Sequence, residues 1–159
     1  MGLGSNLDDP GAQVERAFEG LAGLAESRLV LRSSLYRSRP VGPVPQPDFV
    51  NAAAALLTRL TARELFAALK SLELALGREQ PVVRWGPRRI DLDLLLHGST
   101  RLAEPDLVVP HAEIASRAFV LEPLAEIAPS LEIPGVGRVE RLLARVDRAG
   151  VEPRAARRG

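Results

Sequence analysis

Apolar and polar positions change period several times along the chain. Val14, Ala17, Phe18, Leu21 and Leu24 recur at steps of three and four, which marks one face of a helix. The stretch "DDPGAQVERAF" opens it: Asp8 or Asp9 can accept from the first-turn N–H groups, and Pro10 suits the first helical position. "SRLVLRSSLYRSRPV" is rich in strand formers and reads as extended. Val41 to Phe49, with Pro43, Pro45 and Pro47 directly behind Pro40, reads as a loop. "FVNAAAALLTRL" (Phe49 to Leu60) fits strand or helix by composition. The short loop before it and the cap behind it favour a strand. That cap is "TARE", where Thr61 and Glu64 form a capping box. The helix it opens buries Leu65, Leu69, Leu72 and Leu76 and stops at Gly77.

A loop from Arg78 to Arg89 leads into a strand over Ile90 to His97. "GSTRLAEPDLVVPH" predicts a turn and an irregular strand. "AFVLEPLAEIAPSL" predicts a short helix interrupted at Pro123. Val139, Leu142, Leu143 and Val146 mark a last amphipathic helix. Residues 150–159 have little to bury and are expected to be a disordered tail behind one domain over residues 1–149. The interleaved elements predict an α+β fold, with an antiparallel or mixed sheet and helices packed on it.

Composition narrows the function classes. The 159 residues can build one core. A net charge of +1 gives no general reason to bind nucleic acid or a membrane surface. There is no cysteine, which excludes disulfides and thiolate chemistry. No apolar run approaches the roughly 20 residues of a membrane span. "MGLGSN" has Asn6 where a myristoylation signal wants Ser or Thr. A cytoplasmic protein is expected.

"RWGPRRIDLDLLLHG" holds the candidate chemistry. Strand side chains alternate faces, so Asp91 and Asp93 point the same way, with Cα atoms about 6.6 Å apart. Ile90, Leu92 and Leu94 face the core. Two carboxylates this close repel unless a cation, an arginine or a proton offsets them. Mg²⁺ held by one or two carboxylates plus phosphate oxygens is one answer. A solvated face neutralised by Arg88 or Arg89 is the other, and spacing alone leaves both open. Arg78, Arg84, Arg88 and Arg89 precede the strand, and forked guanidinium groups suit phosphate. Trp85 reads as a lid on the core or a base-stacking surface. His97 reads as structural, and a lone His111 usually is. No P-loop or dinucleotide fingerprint is present.

"RWGPRRIDLDLLL" closely resembles the signature of the 6-hydroxymethyl-7,8-dihydropterin pyrophosphokinase family. "GLGSNL", "LYRSRPVGPVPQPDFVNAAA", "LKSLELALGRE" and "VPHAEIASRAFVLEPLAEIAP" resemble the family's other blocks, in order and spacing, to about Val146. The resemblance implies a ferredoxin-like α+β fold. It implies transfer of the β,γ-pyrophosphoryl group of ATP, as co-substrate, to the pterin's hydroxymethyl group, with release of AMP, in folate biosynthesis. Asp91 and Asp93 would hold two Mg²⁺ ions, and Arg78 and Arg88 would grip phosphate. Glu73, Arg84, Trp85, Leu94, His111 and Arg117 match positions around ATP. Phe49 and Phe119 match the aromatics that sandwich the pterin ring. Asn51 matches the side chain that reads its polar edge, helped by Ser38 and Val41, and Asn6 matches an Asn that lines the same pocket.

The chain departs from the family pattern in places. Only Met1 to Leu3 precede "GSN", so the first strand is expected to be largely missing. "EQPVV" (79–83) is less basic than many relatives, and Asp106, Val108 and Ala112 replace more usual residues, which predicts weaker ATP contacts. Arg39 stands where Pro is frequent. A truncated or degenerate, non-catalytic family member is one rival reading. A ferredoxin-like nucleic-acid binder is another, against which the strand at Ile90 to His97 offers no stacking aromatics.

Overall fold

A computed structural model describes residues 1–78 and 86–155. Its centre is a six-stranded sheet of β1 (Gly2–Ser5), β2 (Ser27–Arg32), β3 (Tyr36–Ser38), β4 (Phe49–Thr58), β5 (Asp91–Asp93) and β10 (Val151–Pro153). The order is β10-β3-β4-β1-β5, with β2 also on β4, and every pairing is antiparallel. Between these strands run α1 (Pro10–Ala22), α2 (Ala62–Ala75), α3 (Ala118–Ile127) and α4 (Val139–Leu143). Two small hairpins complete the described chain: β6 (Leu102–Glu104) with β7 (Leu107–Val109), and β8 (Glu132–Ile133) with β9 (Gly137–Arg138).

Both faces of the sheet are covered, by different helices. On one face Leu3, Ala52, Ala54, Leu92 and Leu94 meet Val14, Ala17, Phe18 and Leu21 of α1 and Leu65 and Leu69 of α2. On the other, Ala53 and Leu95 meet Leu121 and Leu124 of α3 and Val139 and Leu142 of α4. The alanine run of β4 has good helix propensity, yet β1 lies on one side of it and β2 and β3 on the other. A strand with ladders on both sides satisfies its backbone groups there, which outweighs propensity. Small side chains then let helices approach from both faces.

The helix caps follow the sequence. Asp9 accepts from Ala12 N at 3.2 Å, with Pro10 as the first residue of α1. Thr61 and Glu64 bond each other's backbone N–H at 3.2 and 2.8 Å. Gly77, just past α2, has φ +93°, a left-handed conformation that favours glycine.

Several expectations are corrected. The first strand is present: β1 lies between β4 and β5, paired on both sides. The strand expected over Ile90 to His97 is ordered as strand only from Asp91 to Asp93, and its ladder with β1 ends at Gly2↔Asp93. "GSTRLAEPDLVVPH" makes two strands, because Pro105 and Asp106 turn the chain back on itself. The α3 helix runs through Pro123. Pro123 is buried with Leu121 and Leu124, and burial of that face offsets the missing N–H. The α4 helix is shorter than expected, because Arg145 and Val146 bond back three residues instead of four. The tail expected to be disordered from Gly150 holds β10, which pairs with β3 through Val151↔Ser38 and Pro153↔Tyr36.

Candidate active site

The register of β1 builds the site floor. Gly4 sits opposite Asp91 on β5 and opposite Asn51 on β4. Gly2 sits opposite Asp93 and Ala53 in the same way. Paired residues share a face, so Asp91, Gly4 and Asn51 form one row across three strands. Two strand spacings put the ends of that row about 10 Å apart. The glycine in the middle leaves the floor bare: a Cβ there would press on Asn51 Oδ1 at 3.4 Å and reach the Phe49 ring at 4.0 Å. The β1 alternation therefore sends Leu3 into the core and leaves Gly2 and Gly4 as cavity floor.

Around this floor a cavity is lined by Ser38, Val41, Phe49, Asn51, Arg88, Asp91, Asp93, Arg117 and Phe119, together with Arg39, Leu95 and Val120. Nine of the residues singled out in the sequence thus meet in one place. Asn51 Nδ2 donates to Ser38 Oγ at 2.6 Å, which fixes the amide and leaves Oδ1 over Gly4. Arg117 pairs with Glu113 and stacks on the Phe119 ring, 5.5 Å from its centroid.

The charged end is a dense network. Both oxygens of Asp91 are taken, Oδ1 by Arg78 Nη1 and Oδ2 by Arg88 Nη1, each at 2.8 Å. Arg78 Nη1 also donates to Glu73 Oε2 at 2.7 Å. Glu73 is only 2% exposed, and its Oε1 accepts from Leu92 N at 2.7 Å and Lys70 Nζ at 3.0 Å. Lys70 Nζ also reaches Leu92 O at 3.4 Å. Since β5 ends the sheet, its outward N–H and C=O would otherwise be unpaired, and α2 closes that edge with side chains.

The two aspartates differ in state. Burial pushes Asp91 up, but the charges of Arg88 and Arg78 outweigh it and hold the carboxyl below its ordinary value. Burial and then the Asp91 charge push Asp93 up to about 7. Among the described residues Asp93 has no hydrogen bond or ion pair, and the charges of Lys70 and Arg88 offset its burial only in part. Burial, then the Arg117 charge, lowers the His111 pKa.

Other candidates lie elsewhere. Glu73, Arg78 and His111 stand beside the cavity without lining it. Leu94 is 5% exposed, in the core on the α1 and α2 face, and does not line this cavity. Asn6 is a buried brace: its Oδ1 accepts from Arg88 N at 2.9 Å, and its Nδ2 donates to Gln46 Oε1 and Pro47 O at 2.9 and 3.0 Å. It ties the proline-rich loop to the segment carrying Arg88. His97 bonds Leu60 O at 2.9 Å, away from the cavity. Arg84 and Trp85 lie outside the described residues. Lys70, Gln46 and the two floor glycines escape the sequence reading. An alternating Gly-Leu-Gly in a strand was the available signal for the floor.

The donors suit a hard cation shared with a ligand. Among the described residues no cluster of three or more metal-ligating side chains exists, and Asp91 and Asp93 are the pair that could contribute to holding an ion there. Mg²⁺ accepts one or two carboxylates when phosphates and waters complete its octahedron. The unbonded Asp93 carboxyl fits such an ion.

Comparison with known proteins gives the family. Residues 1–129 match the family model described as 7,8-dihydro-6-hydroxymethylpterin-pyrophosphokinase. A 2-amino-4-hydroxy-6-hydroxymethyldihydropteridine pyrophosphokinase from Pseudomonas aeruginosa is 47% identical over 96% of this chain and 93% of its own length. One of the same name from Haemophilus influenzae is 41% identical over 84% of this chain and 83% of its own. In three dimensions the chain resembles wild-type HPPK-DHPS of Plasmodium falciparum, crystallised with pteroate, with a TM-score of 0.69 at 12% identity. That match covers 91% of this chain and 41% of the Plasmodium chain, so the present chain spans well under half of that longer protein. The chain belongs to the 7,8-dihydro-6-hydroxymethylpterin-pyrophosphokinase family.

Proposed function

We propose that this chain transfers the β,γ-pyrophosphoryl group of ATP to 6-hydroxymethyl-7,8-dihydropterin, giving the pterin diphosphate and AMP, as a step of folate biosynthesis. The row Asp91–Gly4–Asn51 carries this reading. It places a phosphate-and-metal end and a ring-reading end on one bare floor.

The pterin ring lies between Phe49 and Phe119, and Asn51 Oδ1 accepts from an N–H on its polar edge. Arg88 and Arg78 hold the triphosphate, assisted by Arg117. ATP also reaches the Leu94 main chain, His111, Arg84 and Trp85. Asp91 and Asp93 would hold two Mg²⁺ ions, which when bound would supply charge neutralisation and polarisation of the β-phosphorus. The hydroxymethyl oxygen forms a bond to the β-phosphorus and gives up its proton to solvent, and the bond from that phosphorus to the α,β-bridging oxygen breaks, so that this oxygen leaves with AMP. Positioning and electrostatic stabilisation supply the catalysis. The sheet order β5-β1-β4, with β2 and β3 on the far side of β4, supports a ferredoxin-like classification. A cytoplasmic monomer without nucleic-acid or membrane partners completes the reading. Among the described residues no helix is long and apolar enough to cross a membrane.

Incubation with ATP, Mg²⁺ and the pterin tests it. Pterin-dependent AMP is the expected product. ADP in its place would mean phosphoryl transfer and overturn the assignment.

A further inference from the structure

We infer that Arg78 and Arg88 act as resident cations on Asp91, so that a divalent metal enters the site only together with a triphosphate that draws these guanidinium groups away. The inference rests on the pyrophosphokinase reading above and adds an order to how its site fills.

Each Asp91 oxygen carries one arginine nitrogen at 2.8 Å. A divalent ion placed on Asp91 would meet two positive charges within a few ångströms, and in a half-buried site that repulsion is poorly screened. Asp93 stands free among the described residues, but one carboxylate is a weak Mg²⁺ site on its own. The metal site is therefore closed by the protein's own cations until they find another anion.

The network makes their departure inexpensive. When Arg78 leaves, the buried Glu73 keeps Lys70 at 3.0 Å and Leu92 N at 2.7 Å. No buried acid is stranded. Arg88 is anchored through its backbone, with N on Asn6 Oδ1 at 2.9 Å and O accepting from Asn6 N at 3.0 Å. Its guanidinium can swing while the loop stays in place. A triphosphate offers both arginines forked acceptors. Metal and nucleotide then raise each other's affinity by the same factor.

The test is Mn²⁺ binding, followed by the electron paramagnetic resonance of the free ion, in the complete chain without pterin. Wild type, Arg88→Ala, Arg88→Gln and Arg78→Ala are compared, each checked for folding by circular dichroism. Without nucleotide, all three variants should bind Mn²⁺ at least about tenfold more tightly than wild type. Adding the α,β-methylene analogue of ATP, which cannot be cleaved at the reacting bond, should raise wild-type Mn²⁺ affinity at least about tenfold. Variants no tighter than wild type would overturn the inference. Nucleotide-dependent Mn²⁺ binding by wild type would in that case leave the proposed function standing. A gain in Arg88→Ala that Arg88→Gln lacks would show that space, not charge, was at work, and would also overturn it. No Mn²⁺ binding by wild type even with the analogue would overturn the pyrophosphokinase reading and the inference together.

Discussion

The two ends of the cavity are built from the same three strands and solve opposite problems. At the β5 end Lys70, Glu73, Arg78, Arg88, Asp91 and Asp93 are close enough to trade partners, and only Asp93 lacks one among the described residues. At the β4 end Phe49, Asn51, Ser38 and Phe119 carry no formal charge, and the polar contact there is Asn51 to Ser38. A charged network can be rewired at modest cost, because an ion that loses one partner keeps another. An apolar cleft with one fixed amide is shaped before the ligand arrives. The β5 end is therefore adjustable and the β4 end preformed.

Removing a carboxylate should break the comparison most severely. Asp93→Ala is expected to lower turnover by three orders of magnitude or more, since electrostatic stabilisation of a charged transition state is worth about 10³ or beyond. The fold should survive, because Asp93 bonds nothing else among the described residues. AMP formation and a melting curve check both halves of the statement, and wild-type turnover would end the metal role of Asp93.

Phe119→Ala addresses the ring end. It should weaken pterin binding by roughly 5- to 100-fold, in line with about 1–3 kcal/mol for a lost aromatic stack. Binding of the α,β-methylene ATP analogue should change about threefold or less. Titration calorimetry measures both, and equal losses would mean the two ends are not independent.

Protonation sharpens the contrast within the charged end. Asp93 holds its proton to about pH 7 in the fold and to about pH 4 when unfolded. The folded state therefore binds more protons between these values, and stability falls as pH rises from about 4 to about 7. Asp93→Asn carries no such penalty. Without divalent ions it should be more stable than wild type by roughly 1–3 kcal/mol above pH 7, and the two should converge below pH 4. Urea unfolding at pH 4 and pH 8 decides it, and a difference of the opposite sign would mean Asp93 is well paired.

The smallest effect lies outside both ends. Thr61→Ala removes the α2 cap and should cost about 1 kcal/mol of stability. Because α2 is also packed through Leu65 and Leu69, kcat/KM should stay within about twofold. A larger loss of activity would show that the start of α2 sets the position of Lys70 and Glu73.

Much of this was legible along the chain. Caps are local, so Asp9 and the Thr61–Glu64 box could be read from neighbouring residues, and strand alternation put Asp91 and Asp93 on one face. Features that depend on distant partners could not be read so. β10 exists because β3 offers it an open edge. α3 continues past Pro123 because of what that face packs on. The brace by Asn6 joins residues 40 and 82 positions apart. Glu73 resembles any helix glutamate until the β5 edge needs an acceptor.

The sequence alone determined the helix caps, the shared face of Asp91 and Asp93, and the motif order that marks the family, because these depend on short-range spacing. The tertiary structure decided which glycines form the floor, which acid is capped and which is bare, and how far apart the two ends stand. Those depend on register between strands far apart in sequence, and a single residue of slip would have turned Asp91, Gly4 and Asn51 into the opposite layer.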